Sequence, residues 1–351
     1  MTKLLMLVGL LLLYAISAQA SDSATTPRCT VGVNCESGAF GLDADQIALH
    51  ASPAVRQVYA DQSIVFDRRY HRVNAAVDIH AAPNADVVGR LDAGFNFVVP
   101  WTTQDGWAQI GTDKWIRTDA MTTDVMTSTF AGVRLTGDEL PYTVAWLLTH
   151  TRAAKSPGGD SASDNPLLLR YTTVYLYDTV EVDGWEWYQI GVNQWVQQTQ
   201  VAQLRPIERP EDIDTERWFS IDLYEQVLIA YEDETPVYAT LVSSGMADWP
   251  TNEGLFHVYI RYPRTIMSGA YGQPDFYYLQ EVPWTMYFDN DIALHGAYWH
   301  DGFGFRRSHG CVNISVMDAY LMYEWAKPEF DLSVPNDTGP AVYVYSSGTY
   351  R

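Results

Sequence analysis

The sequence predicts a mainly β protein: two small barrel-like modules followed by a larger strand-rich domain with a few helices. Three observations carry this reading. Short alternations of apolar and polar residues begin near Tyr70 and are divided by turn residues, the period-two signature of half-buried strands. The pattern W-x-Q-I-G-x-x-x-W-[I/V] occurs at Trp107 and again at Trp187, the mark of a tandem repeat. From Trp218 to Tyr345 one strand pattern follows another, with a single clear helical stretch near the end.

The chain has 351 residues, 47% of them hydrophobic, enough for several domains with cores of their own. Residues 1–20 read as an export signal, with Lys3 as the positive region, Leu4 to Ile16 as the apolar run and Ala18-Gln19-Ala20 as the cleavage site. No later stretch approaches the ~20 apolar residues of a membrane span. An exported protein matures where disulfides form. Cys29 and Cys35 bracket TVGVN and can close a small loop, which leaves Cys311 as an odd thiol whose reactivity calls for a use. Formal net charge is -21, which excludes nucleic acid as a partner. Residues 21–67 have no assignable role; the helical pattern from Asp43 to Tyr59 is broken at Pro53.

The first module covers 68–125, with strands predicted at Val77–His80, Val87–Leu91 and Gly94–Val99, and an ending at Gly106–Gly111 and Trp115-Ile116. The second covers 140–205 and carries a polar insertion from Ala153 to Pro166. Paired tryptophans are expected to fill barrels too small for a conventional core. The pair resembles bacterial SH3-like modules, which in exported proteins often accompany cell-wall enzymes; the resemblance implies cell-wall glycan as a partner. Residues 206–217, charged and with two prolines, form a linker.

The last domain, 218–347, opens with a hairpin of Trp218–Leu223 and Gln226–Tyr231 turning at Tyr224-Glu225, followed by strands at Val237–Val242 and Gly254–Ile260. Met267 to Asp275, MSGAYGQPD, is a loop placed to lie over a site. Ser315 with Asp318 makes a capping-box-like helix start, Pro328 stops the helix, and Ala341–Tyr345 is a closing strand.

The chemistry concentrates between Ile292 and Asn313, IALHGAYWHDGFGFRRSHGCVN, which holds His295, His300, His309 and Cys311. A free thiol has a pKa near ~8.5 and needs a positioned base to act as a nucleophile at neutral pH. His295 arrives from a separate strand and can approach the sulfur freely; it is expected to be the base, with its other ring nitrogen on the Gly296 carbonyl. His309, two positions before Cys311, is expected to support the pocket. The amides of Gly310 and Cys311 are candidate oxyanion donors. Zinc is a rival use of the same histidines and thiol, although only Asp301 is nearby as a carboxylate base. A wall-binding protein with a degenerate enzyme domain is a second rival.

The order strand, His295-Gly296, glycine-rich loop, Ser308-His309-Gly310-Cys311-Val312-Asn313 is similar to the L,D-transpeptidase (YkuD-like) catalytic domain of bacterial cell-wall enzymes, over about Trp218 to Tyr345. The chain departs from that family at Trp249-Pro-Thr-Asn252, where Thr-Pro usually precedes the Gly-x-Phe strand. The resemblance implies a β-sandwich and a cysteine acyl-enzyme. It also implies peptidoglycan stem peptides as substrate, 3-to-3 cross-linking, and acylation by carbapenem-type β-lactams. Trimming of stems by water, or anchoring of a protein amine, are the alternatives for the same site. No metal and no cofactor are expected. Ser308 belongs to the signature. Tyr278 as a hydroxyl donor, with Tyr298, Trp299, Phe305, Arg306, Arg307, Asn313, Met267 and Tyr271, are the expected substrate-binding residues. The protein is expected outside the cytoplasm, associated with the wall.

Overall fold

The computed structural model describes residues 41–123, 125–136, 139–330 and 339–349; the expected export signal, Cys29 and Cys35 lie outside them. The fold is mainly β, two larger sheets packed face to face and three smaller sheets from the repeats.

The repeated motif folds into the same hairpin twice. Thr102–Gln104 meets Trp107–Gly111 across Asp105-Gly106, and Asp178–Val182 meets Trp185–Gly191 across Asp183-Gly184. Both residues of each turn have positive φ, 48° and 80° in the first and 52° and 77° in the second, which is the reason for Asp-Gly at these points. The next strands pair in the same register, Gln109 opposite Trp115 and Gln189 opposite Trp195, each with an irregularity before the glycine. Tryptophan burial is inverted. Trp107 and Trp195 are buried, whereas Trp115 and Trp187 are half exposed. The first module's core is therefore built from Val77, Leu91, Ala108, Ile110 and Ile116 rather than from paired tryptophans.

One of the two larger sheets runs in the order Arg56–Gln57, Val133–Arg134, Thr235–Leu241, Val227–Glu232, Arg217–Asp222, Ala341–Tyr345, Gly254–His257. The other runs His71–Val73, Phe95–Val98, Tyr277–Asp289, Ile292–Gly296, Val312–Ile314, with Ile260–Gly269 added on Tyr277–Asp289. Phe219, Ile221 and Leu228 from the first meet Met286, Leu294 and Val312 from the second, and Ala319 and Met322 of the helix Val316–Trp325 close the same core. Ser315 caps that helix by accepting from the Asp318 amide. Asp318 in turn accepts from Tyr238, Thr240 and the Gly132 amide, so the segment before the second module is tied to the helix start.

Segments outside 218–347 are woven into both sheets. Phe95–Val98, in the first module's part of the chain, pairs in parallel with Tyr277–Leu279 and antiparallel with His71–Val73. The stretch 260–289, read from sequence mostly as a loop at 267–275, is a long hairpin whose first strand continues through Gly269.

Candidate active site

The site is built on two adjacent strands. Ile292–Gly296 and Val312–Ile314 pair in parallel, Leu294 opposite Val312 and His295 opposite Asn313. Because strand side chains alternate, Leu294, Val312 and Ile314 enter the sandwich core while His295, Cys311 and Asn313 emerge together on the other face. That face floors a cleft of about 860 Å³.

His295 is buried, at 2% exposure, and its Nδ1 lies 3.2 Å from the Gly296 carbonyl. With Nδ1 as the donor, Nε2 is left as the acceptor a base requires. Burial pushes this imidazole down to about 4. Gly296 is closely packed: a Cβ there would stand 3.0 Å from Pro283 Cγ and 3.2 Å from Ala319 Cβ, so these neighbours would have to give way. Cys311 is a free, half-buried thiol that donates to the Asp291 carbonyl at 3.8 Å. Burial pushes it up to about 11, partly offset by the Ala293 amide. Both shifts favour a neutral thiol beside a neutral imidazole at rest, so the thiol depends on a base to act.

The segment before Cys311 is held from below. Asn313 exchanges both backbone hydrogen bonds with Ser243, and the Arg307 and Ser308 amides donate to Ser244. Thr251, within the stretch that departs from the family pattern, donates to the Gly310 carbonyl at 2.7 Å and accepts from the Gly245 amide at 2.9 Å. Gly310 has φ 112°, a conformation that a side chain would strain. Ser308 Oγ donates to the Cys311 carbonyl and accepts from the Gly310 amide at 3.1 Å. This corrects the expectation that the Gly310 amide faces an oxyanion: it is engaged by Ser308, which is itself buried.

His309 lines the same cleft and is held by Asp275, Tyr277 and Trp249. Its Nε2 is 3.3 Å from Asp275 Oδ2, its ring stacks on Tyr277 at 5.5 Å, and Trp249 meets it edge-on at 5.4 Å. His300 accepts from the Gly302 amide at Nδ1, and its Nε2 is 3.2 Å from Asn313 Nδ2. Burial, with Arg307 close by, pushes it down to about 3. Among the described residues no group of three or more His, Cys, Asp or Glu side chains is arranged to hold a metal ion.

Met267, Trp299, Phe305, Arg306, Arg307 and Asn313 all line the cleft. Three predicted residues do not. Tyr278 packs against the first module's core and its hydroxyl accepts from Gln280, because neighbours in a strand face opposite ways and Tyr277 takes the cleft side. Tyr298 is wholly buried, stacked on Tyr70 at 3.4 Å with its hydroxyl on the Gln280 carbonyl. Tyr271 is 71% exposed at the hairpin tip, bonded to Ser268. Sequence reading missed Tyr277, Leu279, Phe95 and Asp291 as lining residues, and Asp275 as the partner of His309. Reading 277–289 as a strand would have exposed the first two through its alternation; nothing local marks Phe95.

Residues 216–344 match the YkuD family, the L,D-transpeptidase catalytic domain. The match takes in both floor strands, while Phe95 and the modules lie outside it. No curated protein matches the chain. Solved structures that are similar include a cysteine-to-serine variant of the Enterococcus faecium L,D-transpeptidase, at 22% identity over 37% of this chain and 50% of that one, with a TM-score of 0.31. An L,D-transpeptidase from Mycobacterium smegmatis is 18% identical over 48% of this chain and 69% of that one, TM-score 0.33. An LD transpeptidase in complex with imipenem is 14% identical over 49% and 90%, TM-score 0.33. The chain thus spans about half the length of the first of these.

Proposed function

We propose that this chain is an exported peptidoglycan L,D-transpeptidase that works through a thioester on Cys311. The observation that carries the proposal is the register placing His295, Asn313 and Cys311 on one face of a strand pair, open to a large cleft, inside the YkuD match. As the sulfur attacks the carbonyl of the third stem residue, the thiol proton passes to His295 Nε2. A neutral pair favours moving the proton with the attack over forming a standing thiolate. The Cys311 amide takes the oxyanion role, since Gly310 is engaged by Ser308. Collapse breaks the peptide bond; the leaving D-alanine amine takes the proton from His295, and the thioester remains. An amine from a second stem attacks the thioester and gives its proton to His295, which returns it to the departing sulfur. The product is a 3-to-3 cross-link; water in place of the amine gives a trimmed stem. The relative solved with imipenem supports the expectation that carbapenems acylate Cys311.

The test is product analysis by mass spectrometry after incubating the protein with disaccharide tetrapeptides. Cross-linked dimers with released D-alanine are expected from the wild type and neither from a folded Cys311→Ala variant. Equal product from both proteins sinks the thioester, and trimmed monomers without dimers would replace transpeptidation with carboxypeptidase activity.

A further inference from the structure

Beside the cleft lies a second cavity of about 420 Å³ that shares Phe95, Trp299, His300 and Arg307 with it. Three arginines from three distant parts of the chain converge on it: Arg72 from the strand His71–Val73, Arg170 from the second module, and Arg307 from the segment before Cys311. Such a convergence is unusual where acidic residues outnumber basic ones by 43 to 22. Arg170 is spoken for, because it pairs with Asp301, whose other oxygen accepts from Ser128 and Tyr171. Asp301 is thereby neutralised and held. Arg72 and Arg307 form no ion pair among the described residues, and Arg72 Nε is buried without a hydrogen-bond partner, its guanidinium 5.7 Å over the Phe95 ring. Leaving such a donor unsatisfied costs stability that a ligand's oxygen can return. The field there is positive enough that Arg307 and Arg170 both help to depress His300.

Building on the proposed function, we infer that this cavity is a carboxylate subsite in which Arg72 and Arg307 clamp a free carboxylate of the stem peptide while Cys311 attacks the carbonyl. Guanidinium groups suit the task, since their paired donors match carboxylate oxygens. Stem peptides carry such groups both at the chain end and along the backbone, and either source presents the same chemistry. The subsite would fix the peptide's register in the cleft by pairing Arg307 of the matched domain with Arg72, which lies outside it.

Calorimetric binding of three disaccharide tetrapeptides to the full chain carrying C311A tests this: the free acid, a form amidated at the terminal carboxyl, and a form amidated at the internal carboxyls. Charged hydrogen bonds of this kind predict that adding Arg72→Gln or Arg307→Gln weakens free-acid binding about tenfold or more. One amidated peptide is expected to bind the C311A parent as weakly as the free acid binds the arginine variants, and to be insensitive to them, which names the carboxylate. Arg72→Lys, which keeps the charge, is expected to recover part of the affinity. Arg307 is exposed, so its variant tests the idea even if Arg72→Gln unfolds. Equal affinity of parent and Arg307→Gln for the free acid, or an equal loss on all three peptides, overturns the subsite and leaves the proposed function standing. Failure of C311A to bind any of the peptides overturns both.

Discussion

The floor and the walls of the cleft are built in different ways. The floor is two short strands, Ile292–Gly296 and Val312–Ile314, whose alternation sends one set of side chains to the core and the other to the reaction. Its residues lie within about twenty positions of each other. The walls are assembled from afar: Phe95 comes from a strand in the first module, Tyr277 from the long hairpin, and the loop carrying Trp299 to Arg307 is anchored through Asp301 to Arg170, Tyr171 and Ser128. Chemistry here depends on local register, and the shape of the cleft depends on how separate modules dock.

The largest effect is expected on the floor. His295→Ala removes the imidazole whose second nitrogen is fixed by the Gly296 carbonyl, and kcat/KM for stem peptides should fall about 10²- to 10⁴-fold, the usual worth of a general base. His309→Ala breaks contacts to Asp275 and Tyr277 instead, and a loss of roughly tenfold or less is expected. Steady-state kinetics on both variants decides; a larger loss for His309→Ala would exchange their roles.

The same division explains what the sequence revealed. The strand of His295, the closing strand at Ala341–Tyr345 and the Ser315 cap follow from short-range patterns and stand where the pattern puts them. The two repeats were legible as hairpins because Asp-Gly turns and the Trp-x-Gln-Ile-Gly spacing act locally. Which tryptophan of each pair is buried was not legible, since contacts from elsewhere in the same module decide it: Trp195 packs on Ala154 and Val180, while Trp107 faces His80 and Arg117. Tyr278 was misplaced for a related reason. One position in a strand exchanges the cleft for the neighbouring module, and only the register of Tyr277–Asp289 against Phe95–Val98 fixes which is which.

Two substitutions test the docking of the walls. Gly304 has φ 90°, and a Cβ there would stand 2.3 Å from Leu148 Cδ2 of the second module, a contact a flexible side chain can only partly relieve. Gly304→Ala should cost about 1–3 kcal/mol, read from denaturant midpoints. An unchanged midpoint would mean that the module yields freely and that the docking is loose. Asp301→Asn removes the charge opposite Arg170; both side chains are about a quarter exposed, so screening limits the expected loss to about 1 kcal/mol. The variant should raise KM more than it lowers kcat, because it frees a wall and leaves His295 and Cys311 in place. A kcat loss alone would put Asp301 with the floor.

The smallest effect separates the two regions by the sign of their pH dependence. On the floor, the folded state holds His295 at about 4 against 6.5 for an ordinary histidine. As pH falls below about 6.5 the unfolded chain takes up this proton first, so stability is lost between roughly 6.5 and 4. At the junction of the second module and the catalytic domain, Glu225 behaves in the opposite way. It is buried, accepts from the Gln203 amide at 2.7 Å, and burial raises it to about 7 against 4.5. The folded state keeps this proton while the unfolded chain releases it, so stability is lost as pH rises from about 4.5 to 7. Glu225→Gln keeps an acceptor for Gln203 and cannot ionise. Its thermal midpoint should match the wild type near pH 4 and exceed it near pH 8 by an amount worth on the order of 1 kcal/mol. A constant difference across that range would show that Glu225 is charged in the folded protein, with Arg205, 3.6 Å from its Oε1, as a full partner at the junction.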